Sequence, residues 1–311
     1  MSLQPLRTIT PPFQCMRRLY SAATHPLIRV TNLPAPGTGH IRILELNRPG
    51  ARNAISKALL AALSKEVAAI QNQYGSEGEE LYTSDSPVRA LILASAIDSS
   101  FCAGADLKER RGFTPEETVA FLADLRGAFS SLSSLPIPTI SAISSFALGG
   151  GLELALSTHF RILSSNATVS LPESRLGIIP GAGGTFRLPA IIGLSRARDL
   201  IVTGRRVAAP EAYFMGIADR LVEIGSESDD RTNGLDILSK ARRAVLAEAV
   251  NLAKEICEGG PIGVRMGLKA VTYARKQEDE NEIYEQVINT EDRNEALSAF
   301  QEKRKPVFRG R

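Results

Sequence analysis

The spacing of apolar residues changes repeatedly along the chain, and each change marks an element. "HIRILELNRPG" reads as a strand over residues 40–47, closed by Pro49-Gly50. In "ISKALLAALSKEVAAIQ" the period lengthens, placing Leu59, Leu60, Leu63, Val67 and Ile70 on one side of a helix. "YGSEGEELYTSDSP" is polar and rich in Gly and Ser, hence a loop, and "VRALILAS" after it is an apolar run of strand length. Thr114, with Glu117 three residues on, forms a capping-box pattern at the head of the helical "TPEETVAFLADLRGAFSSLSSL". "PTISAISSFAL" reads as one strand, "LELALST" as a helix and "FRILSS" as a short strand. Strands thus alternate with helices to about residue 222, which predicts an α/β domain with helices packed on sheets.

Beyond the acidic, Gly-bounded "GSESDDRTNG" (225–234) the pattern is almost entirely helical, in "ILSKARRAVLAEAVNLAKEICEG", "IGVRMGLKAVTYARK" and "NEIYEQVINTEDRNEALSAFQEKR". These helices have no sheet of their own. The stripe Val245, Ala249, Leu252 and Ile256 therefore predicts a partner surface. A core over 34–224 and a helical region over 235–311 are the expected units.

Composition adds a leader to this picture. No acidic residue precedes Glu45, whereas Arg7, Arg17, Arg18, Arg29 and Arg42 all do, among Ser, Thr and Leu. An Arg-bearing, acid-free start reads as an organelle transit peptide over residues 1–20. Arg18-Leu19-Tyr20 before Ser21 resembles a mitochondrial processing site and places the mature chain in the matrix. Cleavage there removes Arg7, Arg17 and Arg18 from a net charge of +3, leaving none of the basic excess of a dedicated nucleic-acid binder. Three cysteines, Cys15, Cys102 and Cys257, build no disulfide framework.

Several chemistries fall away. With only His25, His40 and His159 there is no H-E-x-x-H metal pattern, and no G-x-S-x-G nucleophile elbow occurs. "GAGGTF" lacks the lysine of a phosphate loop, and neither it nor "GGGLEL" completes G-x-G-x-x-G. Three segments remain: "FCAGADLKER" (101–110), "ALGGGLELA" (147–155) and "LPESRLGIIPGAGGTFRLP" (171–189). Each sets small residues beside a carboxylate at a strand-to-helix junction. Small residues leave backbone N–H groups unshielded, and a helix start leaves them without internal partners. Two such junctions facing one cavity would hold an oxygen anion between two donors.

In these three motifs, in this order and spacing, the chain resembles the crotonase (enoyl-CoA hydratase/isomerase) family over about residues 40–311. The resemblance implies a spiral of ββα units with a C-terminal helical region serving trimerisation, as a homotrimer or a dimer of trimers. It implies an oxyanion hole from the N–H groups of Ala103 and Gly150, and catalytic Glu153 and Glu173 for adding water across C2=C3 of an enoyl thioester. It implies coenzyme A contacts at Arg52, Ala54, Lys57, Ala103, Gly104, Ala105, Asp106 and Leu107, with Phe300 and Lys303 closing the site. Coenzyme A enters as part of the substrate, so no cofactor and no metal are expected. Retention of both glutamates favours hydration over isomerisation.

Further expectations complete the reading. Asp106 is a helix cap, Cys102 a small buried residue, and Gly181, Gly183 and Gly184 shape the loop after Glu173. The acyl group is expected to carry a distal carboxylate, with Arg52 or Lys57 as its cation; a general short-chain enoyl-CoA hydratase/isomerase of fatty acid β-oxidation is the alternative. RNA binding is a second alternative, through "RNAISKALLAALSKE" (52–66). That stretch keeps Arg52, Lys57 and Lys65 but has Ala61, acidic Glu66 and no aromatic residue for base stacking.

Overall fold

The computed structural model describes residues 25–81, 86–225 and 234–311. The leader and its processing site lie outside them. Strands β1 (Ile28–Pro34), β2 (His40–Leu46), β3 (Val88–Ser95), β4 (Thr139–Ile143), β6 (Phe160–Ser164) and β9 (Arg220–Val222) form a six-stranded sheet in the order β1-β2-β3-β4-β6-β9. β1 pairs antiparallel with β2, and every other neighbour is parallel. A second sheet joins β5 (Phe146–Leu148), β7 (Thr168–Ser170) and β8 (Val207–Ala208) in the order β5-β7-β8. The helices are α1 (Lys57–Gln71), α2 (Leu107–Arg110), α3 (Pro115–Ser133), α4 (Gly150–Leu156), α5 (Gly184–Ile192), α6 (Leu194–Thr203), α7 (Ala209–Met215), α8 (Gly234–Cys257), α9 (Pro261–Tyr273), α10 (Gln277–Ile288) and α11 (Glu291–Gln301).

Two cores follow from the period-2 alternation of the strands. Leu44 and Leu46 of β2, with Leu91 and Leu93 of β3, face α1 and α3, where Leu59, Leu63, Val67, Phe121, Leu125 and Phe129 are buried. Ile41, Ile43, Ala90 and Ile92 alternate to the other face and meet Val245, Ala249 and Leu252 of α8. The partner surface that the stripe calls for is the chain's own sheet: Val245 and Ala249 are fully buried against it. A helix hydrophobic on one face needs a cover, and here the sheet's second face supplies it. The core thus runs across the expected boundary near residue 224 into the helical region.

Other differences have local causes. β1 went unpredicted because five of its seven positions are exposed; its edge pairing with β2 defines it. "PTISAISSFAL" is two strands in two sheets, breaking at Ser144-Ser145, where Ser144 accepts from Ser164 and Ser145 from Thr168. The last helical stretch breaks into α10 and α11 at Thr290, whose hydroxyl caps α11 by accepting from the Arg293 N–H. The capping box at Thr114 and Glu117 forms as expected.

Candidate active site

Two glycines of the triplet meet spatial demands, and the middle one makes only ordinary contact. Gly149 has φ +52°, and a Cβ there would lie 2.8 Å from Oε1 of Glu173. A Cβ on Gly151 would lie 2.2 Å from the Cys102 carbonyl oxygen, so the start of α4 abuts the 101–105 segment with no room for a side chain. At Gly150 a Cβ would come 3.6 Å from the Ala105 nitrogen. Close backbone approach, more than a tight turn alone, explains the sequence.

The 101–105 segment is held from both sides. Phe101 and Cys102 donate to the Phe146 carbonyl, and the Cys102 carbonyl accepts from Leu148, which fastens the segment to β5. On the other side, Arg52 and Asn53 take the left-handed conformation, at φ 50° and 57°. The fully buried Asn53 fixes this turn: its amide donates to Ser95 Oγ and the Phe101 carbonyl, and its oxygen accepts from the Arg48 N–H. The turn aims the Arg52 carbonyl at the Ala103 N–H, which donates to it at 3.1 Å. Ala103 is thereby corrected as an oxyanion donor, because its hydrogen is already bonded.

Ala105 offers a free donor instead. In the bridge between Ile55 and Ala105, the Gly104 carbonyl and the Asp106 N–H both bond Ile55. Successive groups of an extended chain alternate in direction, so the intervening Ala105 N–H turns toward α4. It has no acceptor among the described residues, and neither has the Gly150 N–H. A Cβ on Gly104 would sit 3.4 Å from the Gly150 nitrogen, which shows how closely the two segments approach. The missed signal was the alternation itself: of the two alanines in A-G-A-D, only one can face away from Ile55.

Asp106 caps α2, as expected, accepting from Lys108 and Glu109. It also pairs with Arg48 at 2.7 Å, and Arg48 donates to the Ala54 carbonyl. Burial opposes ionisation of Asp106, but the Arg48 hydrogen bond and the cap hold its carboxyl below the usual range. Cys102 is buried, with its thiol pushed up to about 12 by burial, and is an inert packing group.

The two glutamates are both buried but differently held. Glu153, in the first turn of α4, accepts at Oε1 from the Ala182 and Gly184 N–H groups at 2.8 and 2.9 Å. A Cβ on Gly184 would come within 3.2 Å of that oxygen, so the glycines after Glu173 let the loop close on the carboxylate. Burial raises the Glu153 pKa; the two N–H donors, Arg187 and Arg126 oppose that rise. Glu173 has a buried Oε2 with no partner among the described residues, and burial pushes its pKa up to about 7, helped by the charge of Glu153. Both carboxyls are pushed up by burial, but Glu153 has the Ala182 and Gly184 N–H donors to favour its charged form.

Both open on one cavity of about 490 Å³, which Ala103, Gly104, Ala105, Gly149 and Gly150 also line. Its walls are otherwise apolar, from Leu107, Leu122, Leu125, Leu176, Ile178 and Ile179, apart from Thr118 and two cations, Arg110 and Arg126. Of the expected coenzyme A contacts, Ala103, Gly104, Ala105 and Leu107 reach the cavity, while Arg52, Ala54, Lys57 and Asp106 lie outside its lining. Lys57 is paired with Glu117 at 3.0 Å and stacks on Phe113. Phe300 and Lys303 are likewise outside the lining, Phe300 being 84% exposed. No group of His, Cys, Asp or Glu suited to a metal ion occurs among the described residues.

Residues 37–311 match the model of the enoyl-CoA hydratase/isomerase family. The chain belongs to this family. This enoyl-CoA hydratase/isomerase is 65% identical to the mitochondrial methylglutaconyl-CoA hydratase 1 of Pyricularia oryzae, over 94% of this chain and 90% of that one. It is 38% identical to the mitochondrial methylglutaconyl-CoA hydratase of Mus musculus, over 94% and 88% of the two chains. A solved enoyl-CoA hydratase from Bacillus anthracis superposes with a TM-score of 0.76 at 36% identity, covering 92% of this chain and all of that one. The spiral α/β architecture expected from the motifs is the architecture of these enzymes.

Proposed function

We propose that the protein is a mitochondrial methylglutaconyl-CoA hydratase of leucine degradation, adding water across C2=C3 of 3-methylglutaconyl-CoA. The observation that carries the reaction type is the pair of buried carboxyls on one cavity, one ligated by two N–H groups and the other with an unpartnered oxygen. Glu153 takes a proton from water as the oxygen bonds to C3. Glu173, protonated, gives its proton to C2. Electron density moves through the double bond onto the thioester oxygen and back, and the Ala105 and Gly150 N–H groups hold that oxygen while it is negative. The proton gained by Glu153 returns to Glu173 before the next turnover, so the balance is one water consumed and no redox change, and no cofactor is needed beyond the coenzyme A of the substrate.

The acyl group rests on the 65% identity to the Pyricularia oryzae enzyme. The test compares 3-methylglutaconyl-CoA with 3-methylcrotonyl-CoA, which lacks only the distal carboxylate. We expect the charged substrate to be preferred in kcat/KM by more than tenfold, about 1.4 kcal/mol in the barrier. Equal use of both, or preference for the uncharged one, returns the enzyme to general short-chain enoyl-CoA hydration. RNA binding is not favoured, since Lys57 of the 52–66 stretch is engaged by Glu117.

The matrix assignment is supported by the acid-free leader and by the relatives named mitochondrial. Self-association as a trimer or a dimer of trimers is supported by exposed apolar side chains on the later helices: Phe214 at 81%, Val271 at 84% and Phe300 at 84%. Sedimentation at micromolar concentration should give a trimer or hexamer; a stable monomer excludes it.

A further inference from the structure

We propose that Arg126 is the specificity-determining residue of this site, its guanidinium receiving the distal carboxylate of the acyl group. This rests on the methylglutaconyl-CoA reading above and corrects the expectation that Arg52 or Lys57 plays the part.

A substrate carboxylate moved out of water needs a cation or several N–H donors. The cavity offers two cations against apolar walls, Arg110 and Arg126. Neither is in an ion pair among the described residues, whereas Arg48, Arg161, Arg205 and Arg220 each are. Arg126 is exposed, so water solvates its charge in the free enzyme, and an anionic group entering the cavity can take that water's place.

Arg126 is the better placed of the two. It projects from α3, a 19-residue helix capped at Thr114 and anchored in the core by Phe121, Leu125 and Phe129. Its Nε donates to the Gly181 carbonyl at 2.7 Å, which fixes the plane of the guanidinium. Both terminal nitrogens then remain free of partners among the described residues, and they are the pair that grips a carboxylate bidentately. Gly181 precedes Ala182, a donor to Glu153, so one short loop positions both the anion receptor and the base. Arg110, at the end of the four-residue α2, lies over the Phe121 ring at 5.9 Å and adds charge without such an anchor.

Arg126 also has a structural role to be separated from this one. Its hydrogen bond to Gly181 and its field at Glu153 serve every substrate alike. The readout is therefore the ratio of kcat/KM for 3-methylglutaconyl-CoA to that for 3-methylcrotonyl-CoA, whatever happens to the absolute rates. In Arg126→Leu the ratio should fall about 30- to 100-fold, the loss of a partly solvated charge pair. Arg126→Lys, which keeps the charge and loses the fork, should recover part of it. A parallel loss on both substrates, with the ratio within threefold of wild type, shows a loop prop only and overturns the proposal. Retention of a wild-type preference in Arg126→Leu overturns it while leaving the substrate reading intact. A wild-type enzyme with no preference overturns both.

Discussion

Glu173→Gln and Glu153→Gln should each lower kcat for enoyl-CoA hydration by about three orders of magnitude, within the usual 10²–10⁴ range of general acid–base help. An amide neither releases nor takes up the required proton, and it is nearly isosteric, so thermal unfolding should change little. The two variants separate by pH. Glu173 must be protonated to serve C2, and its pKa lies at about 7 in the folded protein. Wild-type kcat/KM should therefore be greatest below that pH, where Glu153 is still ionised, and fall about tenfold per unit above it, because the acid is then ionised. The small residual activity of Glu173→Gln should lack this alkaline limb, whereas that of Glu153→Gln should keep it. Turnover near wild type in either variant sinks the two-glutamate mechanism, and a wild-type rate flat to pH 9 sinks the assignment of Glu173 as the acid.

Gly104→Ala is the second large effect. Gly104 has φ +93°, and its Cβ would meet the Leu148 carbonyl oxygen at 2.6 Å, a backbone atom that cannot swing aside. The segment must retreat from α4, separating the Ala105 and Gly150 N–H groups. Loss of one oxyanion donor costs about 10²–10³ in kcat, and most of it should appear in kcat and little in KM, because the donor acts on the transition state. The melting temperature should fall too. Gly127→Ala is the matched control: nothing lies within 4 Å of its Cβ, and alanine in place of a helical glycine adds up to about 1 kcal/mol. Gly104→Ala retaining more than a tenth of wild-type kcat excludes this account of the oxyanion site.

The motifs made the pair of buried carboxyls readable from sequence because local rules place it: a helix start for Glu153 and a proline-preceded turn for Glu173. The long helices α1, α3, α8 and α9 and the strands β2, β3, β4 and β6 were readable from their periods, whereas α5, α6, α7 and the short strands β7, β8 and β9 were not. What escaped was set by contacts between distant segments. Ala103 was distinguished from Ala105 by the carbonyl of Arg52, which precedes Ala103 by about fifty residues and sits in a left-handed turn that an Arg-Asn pair does not announce. Arg126 carries no motif; its meaning arises when α3 meets the loop at Gly181. The stripe on α8 was read correctly as needing a cover, yet no local pattern shows that the cover is the second face of a sheet begun at residue 40.

That cover also orders events during synthesis. Ile41, Ile43, Ala90 and Ile92 leave the ribosome long before Val245, Ala249 and Ala253, the side chains that shield them. The nascent chain therefore carries a sheet greasy on one side, with β2, β3, β4 and β6 already made, until α8 emerges. Transiently bare apolar strands are where aggregation competes with folding and where chaperones act. Completion of the native state is accordingly a late event, coupled to the arrival of a helix that contributes no group to the reaction.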